Sequence, residues 1–190
     1  MDQAAKEISQ LGVHSTWGPI HVEVVRGLVV ACRLPFRRAA PVRRFHWLGM
    51  RMVSATARDR AVLRQAALYL KAMLTGKPAC RPPFRWPEAT PFRLKVWREL
   101  AKVPWGQTVT YGQLARKIGR PAAARAVGQA CGANPLPLLI PCHRVLAGDG
   151  GWGGFSCGAA WKQLLLQQER PREAVRMGDG IQRSSYEVSW

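Results

Sequence analysis

The chain has 190 residues, with 29 Lys plus Arg against 11 Asp plus Glu, a formal net charge of +18 and a sequence pI of about 11.1. That length holds one domain or two small ones with a real core, and no window approaches the ~20 apolar residues that a membrane span needs. The polar start MDQAAKEISQ lacks the apolar stretch of a secretory signal, and Cys32, Cys80, Cys131, Cys142 and Cys157 form neither a regular disulfide framework nor a CxxC pair, so an intracellular protein with reduced thiols is expected.

In chain order, GPIHVEVVRGLVVACRLP alternates and then runs apolar around Gly27, which reads as a two-stranded hairpin. The Arg-rich stretch RRAAPVRRFHWLGMRMVSATARD shows no clear period and reads as loop or irregular strand. In RDRAVLRQAALYLKAMLTGKP, Val62, Ala66, Leu70 and Met73 or Leu74 recur at helical spacing, and Gly76 and Pro78 stop the helix. CRPPFRWPEATP, rich in proline, reads as a connection, with a boundary near Ala89. Thr90 as N-cap and Pro91 at the first helical position open a helix that turns Phe92, Val96 or Trp97, and Leu100 to one side and ends before Pro104.

Thr110 caps a short helix Tyr111–Ile118, Gly119-Arg120-Pro121 make a turn, and Ala122–Gly132 form a second helix, a helix-turn-helix pattern. Small residues surround the single long side chain of Arg125 in the second helix. That face suits either close approach to a partner or plain core packing. Nine basic residues between Phe92 and Arg144 (Arg93, Lys95, Arg98, Lys102, Arg116, Lys117, Arg120, Arg125, Arg144) stand against the single acid Glu99, a field that attracts phosphates. Arginine enrichment from a GC-rich coding sequence is the other reading of the charge.

The stretch NPLPLLIPCHRVLAGDG places Cys142 at the end of a proline-broken apolar run and next to His143. Without zinc or CxxC spacing, the thiol is either a nucleophile or a buried inert group. As a nucleophile it needs a base or a positive field, because a free thiol with pKa ~8.5 is mostly protonated at neutral pH. In an extended segment neighbouring side chains diverge, so a water bridging Cys142 and His143 is expected rather than direct contact.

PCHRV, after ARAVG and NP and preceded by TYGQLA and TPFRLKVW, resembles the O6-alkylguanine-DNA alkyltransferase family over roughly Thr16 to Glu169. The resemblance implies a single-turnover enzyme that flips an alkylated guanine (or alkylated thymine) out of duplex DNA and moves the alkyl group irreversibly from O6 to its own cysteine. It makes Cys142 the acceptor, His143 the water-mediated base, Glu169 its orienting carboxylate and Asn134 the brace of the turn. Arg125 fills the space of the flipped base, Tyr111 presses on the neighbouring phosphate and assists the leaving guanine, and Ala124, Ala126 and Gly128 line the minor groove. Val145, Phe155, Ser156 and Cys157 form the base pocket, with Trp152 as an added apolar wall. Cys157 stands where the family usually has glycine: either harmless extra volume or a side chain narrowing the pocket.

The expected fold is an α/β N-terminal subdomain (a small antiparallel sheet plus helix, residues 1–89) and a mostly α C-terminal domain with the helix-turn-helix (90–170), followed by a tail (171–190). No cofactor and no metal are expected, since Cys32, Cys80, His14, His21 and His46 repeat no ligand set. The expected partner is double-stranded DNA with alkylated bases, bound by a monomer through the minor groove, with no membrane partner. A cysteine hydrolase would leave the basic helix-turn-helix unexplained, and a DNA-binding regulator would leave Cys142 unexplained.

Overall fold

In the computed structural model, which describes residues 8–37 and 45–170, the chain begins as sheet. Strands β1 (Ser9–Ser15), β2 (Ile20–Val25) and β3 (Leu28–Arg33) alternate buried and solvent-facing residues, turning Leu11, Val13, Ile20, Val22, Val24, Val29 and Cys32 inward. The β2–β3 hairpin closes through Arg26 (φ 53°) and Gly27 (φ 75°), a two-residue turn that needs left-handed backbone at both positions. With β4 (Trp47–Val53) they make a four-stranded antiparallel sheet in the order β3-β2-β1-β4.

β1 adds a strand to the expected two-stranded hairpin, and of the two alternatives for the Arg-rich stretch, loop or irregular strand, its described part holds the edge strand β4; residues 38–44 of that stretch lie outside the described residues. Leu48, Met50 and Val53 of β4 remain exposed. An edge strand with apolar residues on both faces loses the alternation by which a strand is recognised.

Helix α1 (Ala57–Leu74) lays Leu63, Ala66, Leu70 and Met73 on the sheet. Thr56 caps it, its Oγ1 accepting from Asp59 N at 3.0 Å. The buried Asp59 carboxylate then accepts from Ser9 Oγ (2.9 Å) and Gly27 N (2.6 Å), tying helix start, β1 and hairpin turn together.

Helix α2 (Pro91–Leu100) starts as expected at Thr90 and Pro91, with Val96, Trp97 and Leu100 buried. A parallel pair, β5 (Val109–Thr110) with β6 (Val145–Leu146), brackets the helix-turn-helix. Within it, α3 (Tyr111–Lys117) opens on a capping box between Thr110 and Gln113. The second helix differs from its expected start at Ala122: Pro121–Ala123 is a 3-10 turn closed by Ala123 N donating to Arg120 O at 2.9 Å, and α4 proper runs Ala124–Gly132. The last helix, α5, is Ala159–Glu169.

One buried cluster runs from Leu11 to Leu165, so both halves share a core. The seam is specific: Trp161 Nε1 donates to Pro35 O at 2.7 Å, the Trp161 ring meets Trp17 edge-on at 4.9 Å, and Tyr69 Oη donates to Leu138 O at 3.0 Å. Among the described residues no helix is long and apolar enough to cross a membrane. The tail 171–190 lies outside the described residues.

Candidate active site

After α4 the chain must turn back under the helix, and Asn134 sets that turn. Its Oδ1 accepts from Leu136 N at 3.0 Å, and its Nδ2 reaches Ile140 O at 2.8 Å and Cys142 Sγ at 3.2 Å. Cys142–Arg144 form a 3-10 turn, not the extended segment expected, because Arg144 N donates to Pro141 O at 3.0 Å. Side chains in such a turn diverge by ~120°, so Cys142 and His143 still point apart.

Cys142 closes the floor of a cavity of about 400 Å³. Tyr111, Gly128, Cys131, Gly132, Gly154, Phe155 and Ser156 line the rest. Burial pushes the Cys142 thiol up to about 11, partly offset by the hydrogen bond from Asn134. The resting group is therefore a neutral thiol.

Behind it lies a closed ionic network. His143 is fully buried, and its Nε2 lies 2.8 Å from Glu169 Oε1. Arg144 donates from Nη2 to the same oxygen (2.9 Å) and from Nε to Oε2 (2.9 Å), while Gly106 N donates to Oε2 at 3.2 Å. Burial alone would raise the Glu169 carboxyl; the His143 and Arg144 hydrogen bonds outweigh it and hold it at about 2. An ionised carboxylate only accepts, so His143 Nε2 carries the hydrogen and Nδ1 carries the lone pair. Nδ1 is buried and has no partner among the described residues. Burial lowers the His143 pKa, against the pull of Glu169, and keeps the ring neutral.

Lys162 is the group that sequence reasoning missed. It is 0% exposed, on α5, with Nζ donating to Val145 O and to Gly154 O at 3.2 Å and lying 5.9 Å from the Tyr111 ring centroid. Burial lowers its pKa to about 8, while Cys142 and Cys131 pull the other way. The arrangement is a thiol, a proton acceptor with a free lone pair, an anion holding that acceptor, and a buried cation tying the pocket backbone. It can carry out nucleophilic displacement on a small group held in the cavity.

A family model described as "6-O-methylguanine DNA methyltransferase, DNA binding domain" matches residues 91–171. A methylated-DNA–protein-cysteine methyltransferase of Methanosarcina barkeri is 40% identical over 111 residues, 58% of this chain and 70% of that protein. This chain belongs to the methylated-DNA–protein-cysteine methyltransferase family. A Salmonella typhimurium protein of that name is 50% identical over 80 residues, 42% of this chain and 47% of the relative. The Mycobacterium tuberculosis OGT solved in complex with DNA superposes with a TM-score of 0.67 at 29% identity, covering 86% of this chain and 95% of that one.

In this family member the structure gathers Cys142, Tyr111, Gly128, Phe155 and Ser156 around one cavity, sets Asn134 against the thiol, and pairs the next residue, His143, with Glu169. Tyr111 packs between Gly128 and Gly153, and its hydroxyl lies 3.4 Å from Gly154 O. A Cβ on Gly153 (φ 64°) would stand 2.9 Å from that ring, so only glycine fits there. The Phe155 ring meets His143 edge-on at 6.4 Å. Arg125 is exposed on α4, with Ala124, Ala126 and Gly128 only half-buried around it.

Other expected members stand elsewhere. The Cys157 side chain does not line the cavity: it is buried, and its backbone carbonyl accepts from Arg37 N at 2.9 Å. Val145 is fully buried and offers the site only its carbonyl, which Lys162 occupies. Trp152 is exposed and lines no part of the cavity. Cys131 is buried and also forms a cavity wall. Arg144, counted in the sequence with the surface field, is spent in the ion pair with Glu169. Among the described residues no three of His, Cys, Asp and Glu come together as metal ligands.

Proposed function

We propose that Cys142 is the acceptor through which this family member repairs alkylated DNA. The substrate is O6-alkylguanine, or O4-alkylthymine, in duplex DNA, rotated out of the stack into the cavity above the thiol. The observation behind this reading is a buried cysteine that lines a cavity, followed in the chain by an imidazole whose Nε2 is held by Glu169 and whose Nδ1 has no partner among the described residues.

In the transfer, Cys142 Sγ attacks the alkyl carbon, a C–S bond forms and the bond from that carbon to O6 breaks. The thiol proton passes through a water to His143 Nδ1, and Glu169 stabilises the resulting imidazolium. Guanine leaves as an anion and takes a proton, aided by the Tyr111 hydroxyl. Lys162 stabilises negative charge on sulfur and holds the pocket backbone, with Phe155 and Ser156 against the base. The thioether is stable, so each molecule acts once.

The protein binds DNA as a monomer by laying α4 in the minor groove. Ala124, Ala126 and Gly128 allow close approach, Arg125 fills the vacated stack, and Tyr111 borders the phosphate of the rotated nucleotide. That the Mycobacterium tuberculosis relative was solved in complex with DNA supports DNA as the partner. The division near Ala89 then separates a supporting subdomain from the DNA-binding and transfer domain. Peptide mapping after incubation with duplex O6-methylguanine tests the reading. The methyl group is expected on the peptide containing Cys142; recovery on Cys131 or Cys157 instead would refute it.

A further inference from the structure

Helix α2 has two opposed sides. Val96, Trp97 and Leu100 face inward, with Trp97 Nε1 donating to Ala130 O of α4 at 2.8 Å. At ~100° per residue, Pro91, Leu94, Lys95 and Arg98 turn to the opposite side. There, between α2 and the proline-rich connection, runs an open groove of about 820 Å³. Its floor is apolar, made by Trp86, Pro91, Leu94 and Ala101. Its rim is cationic, with Arg81, Lys95, Arg98 and Lys102 against the single acid Glu99, which already pairs with Lys102. Lys95 and Arg98 enter no ion pair or hydrogen bond among the described residues.

We propose that this groove docks an acidic, aromatic-bearing peptide segment of a partner protein. Carboxylates of the segment pair with Lys95 and Arg98, and one or two large apolar side chains lie on Leu94, Ala101 and Trp86. The floor argues for a peptide rather than a nucleic acid. A single strand binds on a series of stacking rings, whereas this floor is mostly aliphatic and its one ring, Trp86, is already met edge-on by Phe84 at 5.0 Å. The groove also turns away from α4, so it stays open while α4 is engaged.

The test is fluorescence anisotropy with a labelled synthetic peptide carrying two phenylalanines among aspartates, titrated with the full chain at ~0.15 M salt. A second peptide has serines in place of the phenylalanines. The phenylalanine peptide is expected to bind at least ~10-fold more tightly than the serine peptide. Lys95→Gln with Arg98→Gln is expected to weaken binding of the phenylalanine peptide at least ~10-fold. Equal binding of the two peptides would overturn the proposal, as would unchanged peptide affinity in the double variant. So would a double variant that loses a labelled single-stranded oligonucleotide yet keeps the peptide.

Discussion

His143 Nε2 donates to Glu169 Oε1 at 2.8 Å, and this one bond fixes which nitrogen of the imidazole is free to take a proton. Replacing Glu169 by Gln removes the anion that holds the tautomer and leaves Arg144 buried without its counter-charge. Single-turnover transfer from duplex O6-methylguanine is expected to slow by ~100-fold or more. Breaking a buried pair costs ~3–5 kcal/mol, so chemical denaturation of Glu169→Gln should show a loss of that order. Wild-type rate with reduced stability would confine Glu169 to a structural part.

The same network gives an acid limit to stability. Glu169 is held at about 2 against an ordinary 4.5, so its contribution is complete above pH 4.5 and disappears as pH falls from 4.5 toward 2. A shift of that size is worth about 3 kcal/mol. His143, lowered from 6.5, acts in the same direction: charging it is disfavoured in the folded state, so stability declines as pH drops below 6.5. Urea midpoints measured from pH 7 down to pH 3 should fall progressively and be shallower in Glu169→Gln. A flat profile would contradict the ionised, buried carboxylate.

Lys162 sets an alkaline limit to the reaction. Its ammonium, lowered to about 8, is charged at neutral pH and loses its proton above that value. Transfer by the wild type is expected to decline between pH 8 and 10, as the cation that holds the pocket backbone is lost. Lys162→Met keeps an unbranched side chain, one heavy atom shorter, without its charge or its hydrogen bonds to Val145 and Gly154. It should react at least ~10-fold more slowly and lack that alkaline decline, a change that mere loosening of the pocket would not produce. Rate–pH profiles of the two proteins decide it.

What the sequence disclosed and what it concealed follow from locality. Thr90 with Pro91 and Thr110 with Gln113 are caps written within four consecutive residues, and the helices begin there. Cys142, His143 and Asn134 lie within nine residues of one another, and the resemblance placed them. By contrast, β4 is defined by pairing with β1 more than thirty residues away, and its exposed Leu48 and Met50 hide its period. Lys162 and Arg144 look like ordinary surface cations, because their burial is decided by tertiary packing. One signal was available: in AAWKQLLLQQE, Trp161 and Leu164–Leu166 spread apolar residues around the helix, and a lone lysine in such a setting has little surface to reach. Cys157 was read into the pocket from its place in the loop, whereas the backbone turns its side chain inward.

Arg125 separates DNA handling from chemistry. Exposed on α4 and far longer than its neighbours, it is expected to matter only where a base must leave a stack. Arg125→Ala should lose transfer from duplex DNA by ~10-fold or more and retain most of its reaction with a free alkylated guanine base, since extrusion costs a few kcal/mol. Equal losses on both substrates would remove it as the residue that occupies the vacated stack.

The central claim is that Cys142 takes the alkyl group and does so once. Intact-protein mass spectrometry after incubation with excess duplex O6-methylguanine, with Cys142→Ser alongside, tests it most directly. One added methyl group per wild-type molecule is expected, matched by one guanine restored, and none on Cys142→Ser. A methyl group on Cys142→Ser, or guanine restored in excess of protein, would contradict it.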